Sequence, residues 1–190
     1  MRAQYTHRAW SVAAAVGVGL PLALSATPAG AEPQISVRST VGYAARDLKD
    51  DPRGAFALGA RGDVLFFRTR NRDTAIGPYV EGLTLAFHDV ALGGGVAWLV
   101  PGLDEPAIVV SAGGFARRTT AWGWQPGVSG EVFVGFREHN FSSAYGMANG
   151  LFVQGRLGVG DDRHAALVGG VQIDLALFTL PFLLVWGSLH

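Results

Sequence analysis

From Gly127 to Leu175 the chain alternates in steps of two. Val128, Val132, Val134 and Phe136 make one row, and Ser129, Glu131, Gly135 and Arg137 lie between them. The next segment sets Tyr145, Met147, Leu151, Val153, Leu157 and Val159 against Gly146, Ala148, Gly150, Gln154, Arg156 and Gly158. A third sets Leu167, Val171, Ile173 and Leu175 against Ala166, Gly170, Gln172 and Asp174. Successive strand side chains point to opposite faces, so each run predicts a strand with one apolar face and one face of small and charged residues. A soluble sandwich buries its apolar face and turns long polar side chains outward. Here the second face is mostly glycine and alanine with a few charges, which suits the crowded lumen of a narrow barrel with its apolar face outward.

The same reading extends upstream. Ile35, Val37, Val41 and Tyr43 alternate with Ser36, Arg38, Thr40, Gly42 and Ala44 in a first strand, followed by a charged loop, Arg46 to Gly54. A second strand from Ala55 to about Phe67 places Phe56, Leu58, Ala60, Val64 and Phe66 opposite Ala57, Gly59, Arg61 and Asp63. A third, Pro78 to Val90, places Leu83, Leu85 and Phe87 opposite Gly82, Thr84, Ala86 and His88. Gly93-Gly94-Gly95 reads as a turn into a short fourth strand, Val96 to Val100, and Pro101 to Pro106 as another turn. The fifth strand, Ala107 to Arg118, has two rows that are both mostly apolar or small, so its facing is open. Thr119 to Pro126 reads as a loop or strand rim. Eight tilted strands of about 10 residues need about 80 residues, which the chain accommodates, whereas sixteen would consume it. Ten strands stay open as an alternative.

Both ends depart from this pattern. Arg2 and Arg8, the apolar run Trp10 to Leu24, and Ala29-Gly30-Ala31 have the anatomy of a secretory signal cleaved after Ala31. Beyond Asp174 the period of two is lost, and Pro181 fits the first turn of a short helix, about Leu180 to Ser188, capped by Thr179. The expected organisation is a signal peptide over 1–31, a barrel over 32–178 and an apolar tail over 179–190.

Composition sharpens the picture. Hydrophobic residues make up 49% of the 190-residue chain and mean hydropathy is +0.26. Yet no apolar run of about 20 residues occurs beyond the N-terminus, so the apolar character is dispersed at strand period. With no cysteine, disulfides, thiolate metal sites and cysteine nucleophiles are excluded. The net charge is zero and no basic stripe marks a nucleic-acid partner. His88, His164 and His190 lack metal-ligand spacing, and no cofactor motif is present.

Gly170-Val171-Gln172-Ile173-Asp174-Leu175 resembles the C-terminal insertion signal of bacterial outer-membrane barrels: a glycine followed at fixed offsets by apolar positions. With the export signal and the alternating strands, the mature chain is similar to small outer-membrane β-barrels of the eight-stranded type. The resemblance implies an all-β, closed, antiparallel up-and-down transmembrane barrel in the outer membrane. Its implied partners are the lipid bilayer and the barrel-insertion machinery. Such barrels commonly end on an aromatic residue, whereas this chain continues to Leu189-His190.

By parity, Arg38, Arg61, Asp63, Glu131, Arg137, Gln154, Arg156, Gln172 and Asp174 face inward. Near-equal numbers of both signs predict a paired lumen network; the functional alternative is an arginine-lined pore. Within the network, Arg156 is expected to pair with Asp174 or Glu131. Tyr79, Trp98, Trp122, Trp124, Tyr145 and Trp186 are expected in interfacial girdles. Some small outer-membrane barrels are lipid-modifying hydrolases with a closely spaced His and Ser plus a Glu. His139 and Ser142 are three apart here and no Glu follows them, so a polar turn is the expected reading. The expected role is non-catalytic, structural or in surface interaction. A small transport or binding barrel, and a lipid-modifying enzyme, are the alternatives.

Overall fold

The computed structural model describes residues 33–47, 53–70, 72–103, 105–119, 123–137, 144–159 and 164–178. The expected signal peptide, the Glu138–Ser143 stretch with His139 and Ser142, Trp122, Trp186 and the 180–188 helix lie outside them. Eight strands run in order: β1 Gln34–Arg46, β2 Arg53–Leu65, β3 Ala75–Leu85, β4 Asp89–Leu99, β5 Ala107–Thr119, β6 Gly123–Arg137, β7 Ala148–Gly158 and β8 Ala165–Asp174. Each pairs antiparallel with the next, and β8 returns to β1, closing the barrel.

The register fixes the barrel's proportions. The hydrogen-bonded path from Ser36 runs through Asp63, Tyr79, Gly95, Gly113, Ser129, Arg156 and Ala166 to Arg46, ten residues beyond its start. A shear of ten over eight strands tilts the strands by about 40° and makes an eleven-residue strand roughly 27 Å tall. The near rim holds the starts of β1, β3, β5 and β7 and the ends of β2, β4, β6 and β8. The opposite strand ends form the far rim.

Two elements differ from expectation. The Gly93–Gly95 run is not a turn but the middle of β4, flanked by β3 and β5. Those strands press close: a Cβ on Gly95 would stand 2.2 Å from the Ala112 carbonyl oxygen and 2.5 Å from Gly113 Cα, so only glycine fits. The real turn covers 86–88 and carries no glycine; Ala86 and Phe87 adopt positive φ of 51° and 60°. The third strand is therefore earlier and reversed in facing. Tyr79, Leu83 and Leu85 are buried in the lumen, while Ile76 and Val80 face outward.

The seam between β1 and β8 is completed by a third segment. β8 pairs with β1 only from Arg38 onward. At the near rim Ile35 donates to the Ala144 carbonyl at 2.7 Å and accepts from Gly146 N–H at 2.9 Å. Asp174 diverts the chain there. Its Oδ1 accepts from Ala176 N–H at 2.8 Å and from the Tyr145 hydroxyl at 2.6 Å, and its Oδ2 from Ala148 N–H at 3.0 Å. Residues 175–178 then form one helical turn, capped by an aspartate as helix starts commonly are. Burial, then the Asp174 carboxylate, pushes the Tyr145 phenol up to about 12, which keeps it a donor.

Candidate functional site: the charged lumen

Strand alternation sends Arg38, Arg61, Asp63, Glu131, Arg137, Gln154, Arg156, Gln172 and Asp174 to the interior, where all are buried. They form layers. Near the near rim, Asp63 is held between Arg38 and Arg137, and Ser36 Oγ donates to it at 3.3 Å. Arg68, from the β2–β3 connection, swings in above them and donates to Gln34 Oε1 at 3.1 Å and to the Arg137 carbonyl at 2.9 Å. Phe67, the residue before it, has φ of 71°, a left-handed conformation that costs a bulky side chain energy.

The middle layer centres on Arg61. Its Nη1 lies 3.0 Å from Glu131 Oε1 and 3.9 Å from Glu81 Oε2, and its guanidinium sits 3.8 Å from the Tyr79 ring centroid. Gln154 Nε2 donates to Glu81 Oε2 at 2.8 Å and to Glu131 Oε2 at 3.5 Å, and Gln172 Nε2 donates to Glu131 Oε1 at 3.1 Å. The carboxylates are thereby tied to three different strands. Tyr79 belongs to this layer, not to an outer girdle, because β3 faces opposite to the sequence expectation.

Toward the far rim the pattern changes. Arg156 lies over the Phe115 ring, 4.2 Å from its centroid, and no carboxylate of the described residues stands within ion-pair distance. It pairs with neither Asp174 nor Glu131: Asp174 sits at the other rim with Tyr145, and Glu131 is taken by Arg61. Above it, Asp89 lies 2.8 Å from Arg46 and 3.7 Å from Arg117. Among the charges the sequence reading did not single out, Glu81 sits on the misfaced β3, Asp89 at a misplaced boundary, and Arg46 and Arg117 in a loop and a strand of open facing. The lumen is also more apolar than expected: Phe115, Phe133, Phe152, Leu83, Val109 and Val168 are buried among the charges.

The outer wall is the converse. Its exposed residues include Tyr43, Phe56, Val80, Leu92, Val110, Val132, Leu151 and Leu167, at least one on every strand. Among the described residues one charged side chain, Arg118, stands on the outward rows of the strands, at the far rim. Trp98 is exposed near the near rim, with its Nε1–H donating to Thr74 Oγ1 at 2.9 Å, and Trp124 is exposed at the far rim. Tyr145 is half-buried at the seam.

Chemically, this interior pairs charge and fills space. Among the described residues no group of three or more His, Asp or Glu is placed to hold a metal ion. Comparison with known proteins gives no match: no family model, curated protein or solved structure matches the chain.

Proposed function

We propose that this protein is an exported outer-membrane β-barrel with a non-catalytic role: it anchors in the bilayer and presents its connections as an interaction surface. The outer wall supports this most directly. An apolar surface that runs round all eight strands is far larger than a soluble monomer leaves in water. An outward arginine costs about 2–4 kcal/mol at the bilayer midplane and about 0–1 near the interface. The rim position of Arg118 fits the second figure. The wall, roughly 27 Å tall, matches the apolar band of about 25 Å of such barrels. Phe67, Trp98 and Phe136 at one rim, and Tyr43, Phe87 and Trp124 at the other, are exposed where aromatic girdles belong.

In this reading residues 1–31 are the cleaved export signal and the bilayer is the principal partner. The insertion machinery meets the chain through the β8 segment. The lumen supports anchoring rather than conduction, since Arg61, Glu131, Gln154 and Gln172 tie its strands together across the middle. The test is to express the full chain in a Gram-negative host, fractionate the envelope and run the product on gels with and without heating. The expected product sits in the outer-membrane fraction and migrates faster unheated, as a closed barrel resists cold detergent. Recovery from the soluble periplasm alone rejects the reading.

A further inference from the structure

Where the chain leaves the barrel, it carries apolar side chains that the described residues do not cover. β8 stays beside β1 as far as Asp174, and the place next to Ile35 is then taken by residues 144–146. The chain after Asp174 has to leave the plane of the wall. Asp174 starts it as a helical turn by accepting from Ala176 N–H at 2.8 Å. Within that turn Leu175, Leu177 and Phe178 are exposed, Phe178 at 52%. Ile35 and Met147, on the segments beside the exit, are exposed as well. The lumen cannot take the turn back, because Gln34, Arg68 and Arg137 are buried in it at this end.

Three observations select lipid as what meets these side chains. Leu175 continues the outward row of β8, after Leu167, Gly169, Val171 and Ile173, so the solvent of the wall is also the solvent of the turn. Asp174 ends β8 at the near rim, where a wall roughly 27 Å tall gives out and, in a bilayer, headgroups begin. An apolar helical face at that level sinks about 5–10 Å into the boundary between headgroups and acyl chains. Finally, from Leu175 to Leu189 the sequence holds no titratable side chain. The stretch therefore offers no charge to a polar partner and none that would keep it out of an apolar boundary.

Building on the membrane reading, we propose that residues 175–178 are a wedge in the near-rim leaflet, with Leu175, Leu177 and Phe178 lodged at its headgroup boundary beside the β1–β8 seam. Tryptophan quenching in reconstituted vesicles tests it. One reporter chain carries Phe178→Trp with every other tryptophan changed to phenylalanine. A companion keeps Trp98, exposed on the wall near the same rim, as its single tryptophan. Phosphatidylcholine brominated near the carbonyl end of its acyl chains should quench the Phe178→Trp reporter strongly, bromine near the methyl end weakly, and dissolved acrylamide little. Adding Leu175→Asp and Leu177→Asp should strip most of the lipid quenching and admit acrylamide, with heat-modifiable mobility kept. Quenching by acrylamide but not by bromine overturns the proposal, since water then meets the turn. Protection from both overturns it too, since protein, from this barrel or a second copy, then covers the turn. Stronger quenching from the methyl end, or lipid quenching that survives both aspartates, also overturns it. An unquenched Trp98 companion fails the membrane reading and this proposal with it, whereas a quenched companion beside an unquenched Phe178→Trp reporter fails this proposal alone.

Discussion

Two aspartates in this barrel are each clamped between two arginines, and they differ in depth. Asp63, with Arg38 and Arg137, is sealed, its side chain and that of Arg38 fully inaccessible. Asp89, with Arg46 and Arg117, sits near the far rim, where the Arg46 side chain is 25% exposed. The chemical groups are the same, but their solvent is not. In the sealed layer a guanidinium that loses its carboxylate has nowhere to find compensation. At the rim Asp89 and Arg117 are also buried, but Arg46 keeps 25% of its side chain in contact with solvent, so water and salt offset part of the loss there. Where a charge pair stands along the axis therefore matters more than how many such pairs the lumen holds.

Three substitutions sharpen or break that contrast. Asp63→Asn, which leaves Arg38 and Arg137 without their shared anion, should cost about 3–5 kcal/mol, read as a lowered urea midpoint for unfolding from lipid vesicles. Asp174→Asn removes an acceptor at the near rim that takes hydrogen bonds but no arginine; the expected loss is about 1–3 kcal/mol, with increased hydrogen exchange at Ala148 and Ala176. Asp89→Asn should cost least, about 1 kcal/mol, because the partly exposed Arg46 can turn to water when its anion is removed. Raising salt from about 0.1 M to 1 M, which shortens the screening length from about 10 Å to 3 Å, should shrink the Asp89 effect and leave the Asp63 effect in place. Equal losses at Asp63 and Asp89, or equal salt sensitivity, would refute the role given to depth.

How much of this was legible depended on contrast between the two rows of a strand. In β6, β7 and β8 one row is mostly Val, Leu and Phe and the other mostly Gly, Ala and polar or charged residues, interrupted by Phe133, Phe152 and Val168, so facing still follows from parity. In β3 both rows carry large apolar residues, Tyr79, Leu83 and Leu85 within and Ile76 and Val80 without. Parity then has nothing to grip, and the facing of Glu81 is no more legible than that of its strand. The β3–β4 boundary failed for a different reason. Glycine marks turns because it accepts positive φ, but here Gly93 to Gly95 serve the close approach of neighbouring strands. Ala86 and Phe87 make the turn without any local signal. Eight strands follow from length, with ten left open, and the barrel closes on eight. The partner of Arg156 could not be found from sequence spacing, because a buried ring on β5 takes the place expected of a carboxylate.

The three-part seam bears on how the molecule is born. Ser39 Oγ donates to the Ile173 carbonyl across 134 residues of sequence, and the near-rim end of that join also waits for residues 144–146. Contacts between such distant parts form late and slowly. Until they form, the growing sheet has two raw edges able to pair with any passing strand. The hazardous species is thus the almost-finished cylinder, and escort in transit matters more to this chain than extra strength once the ring has closed.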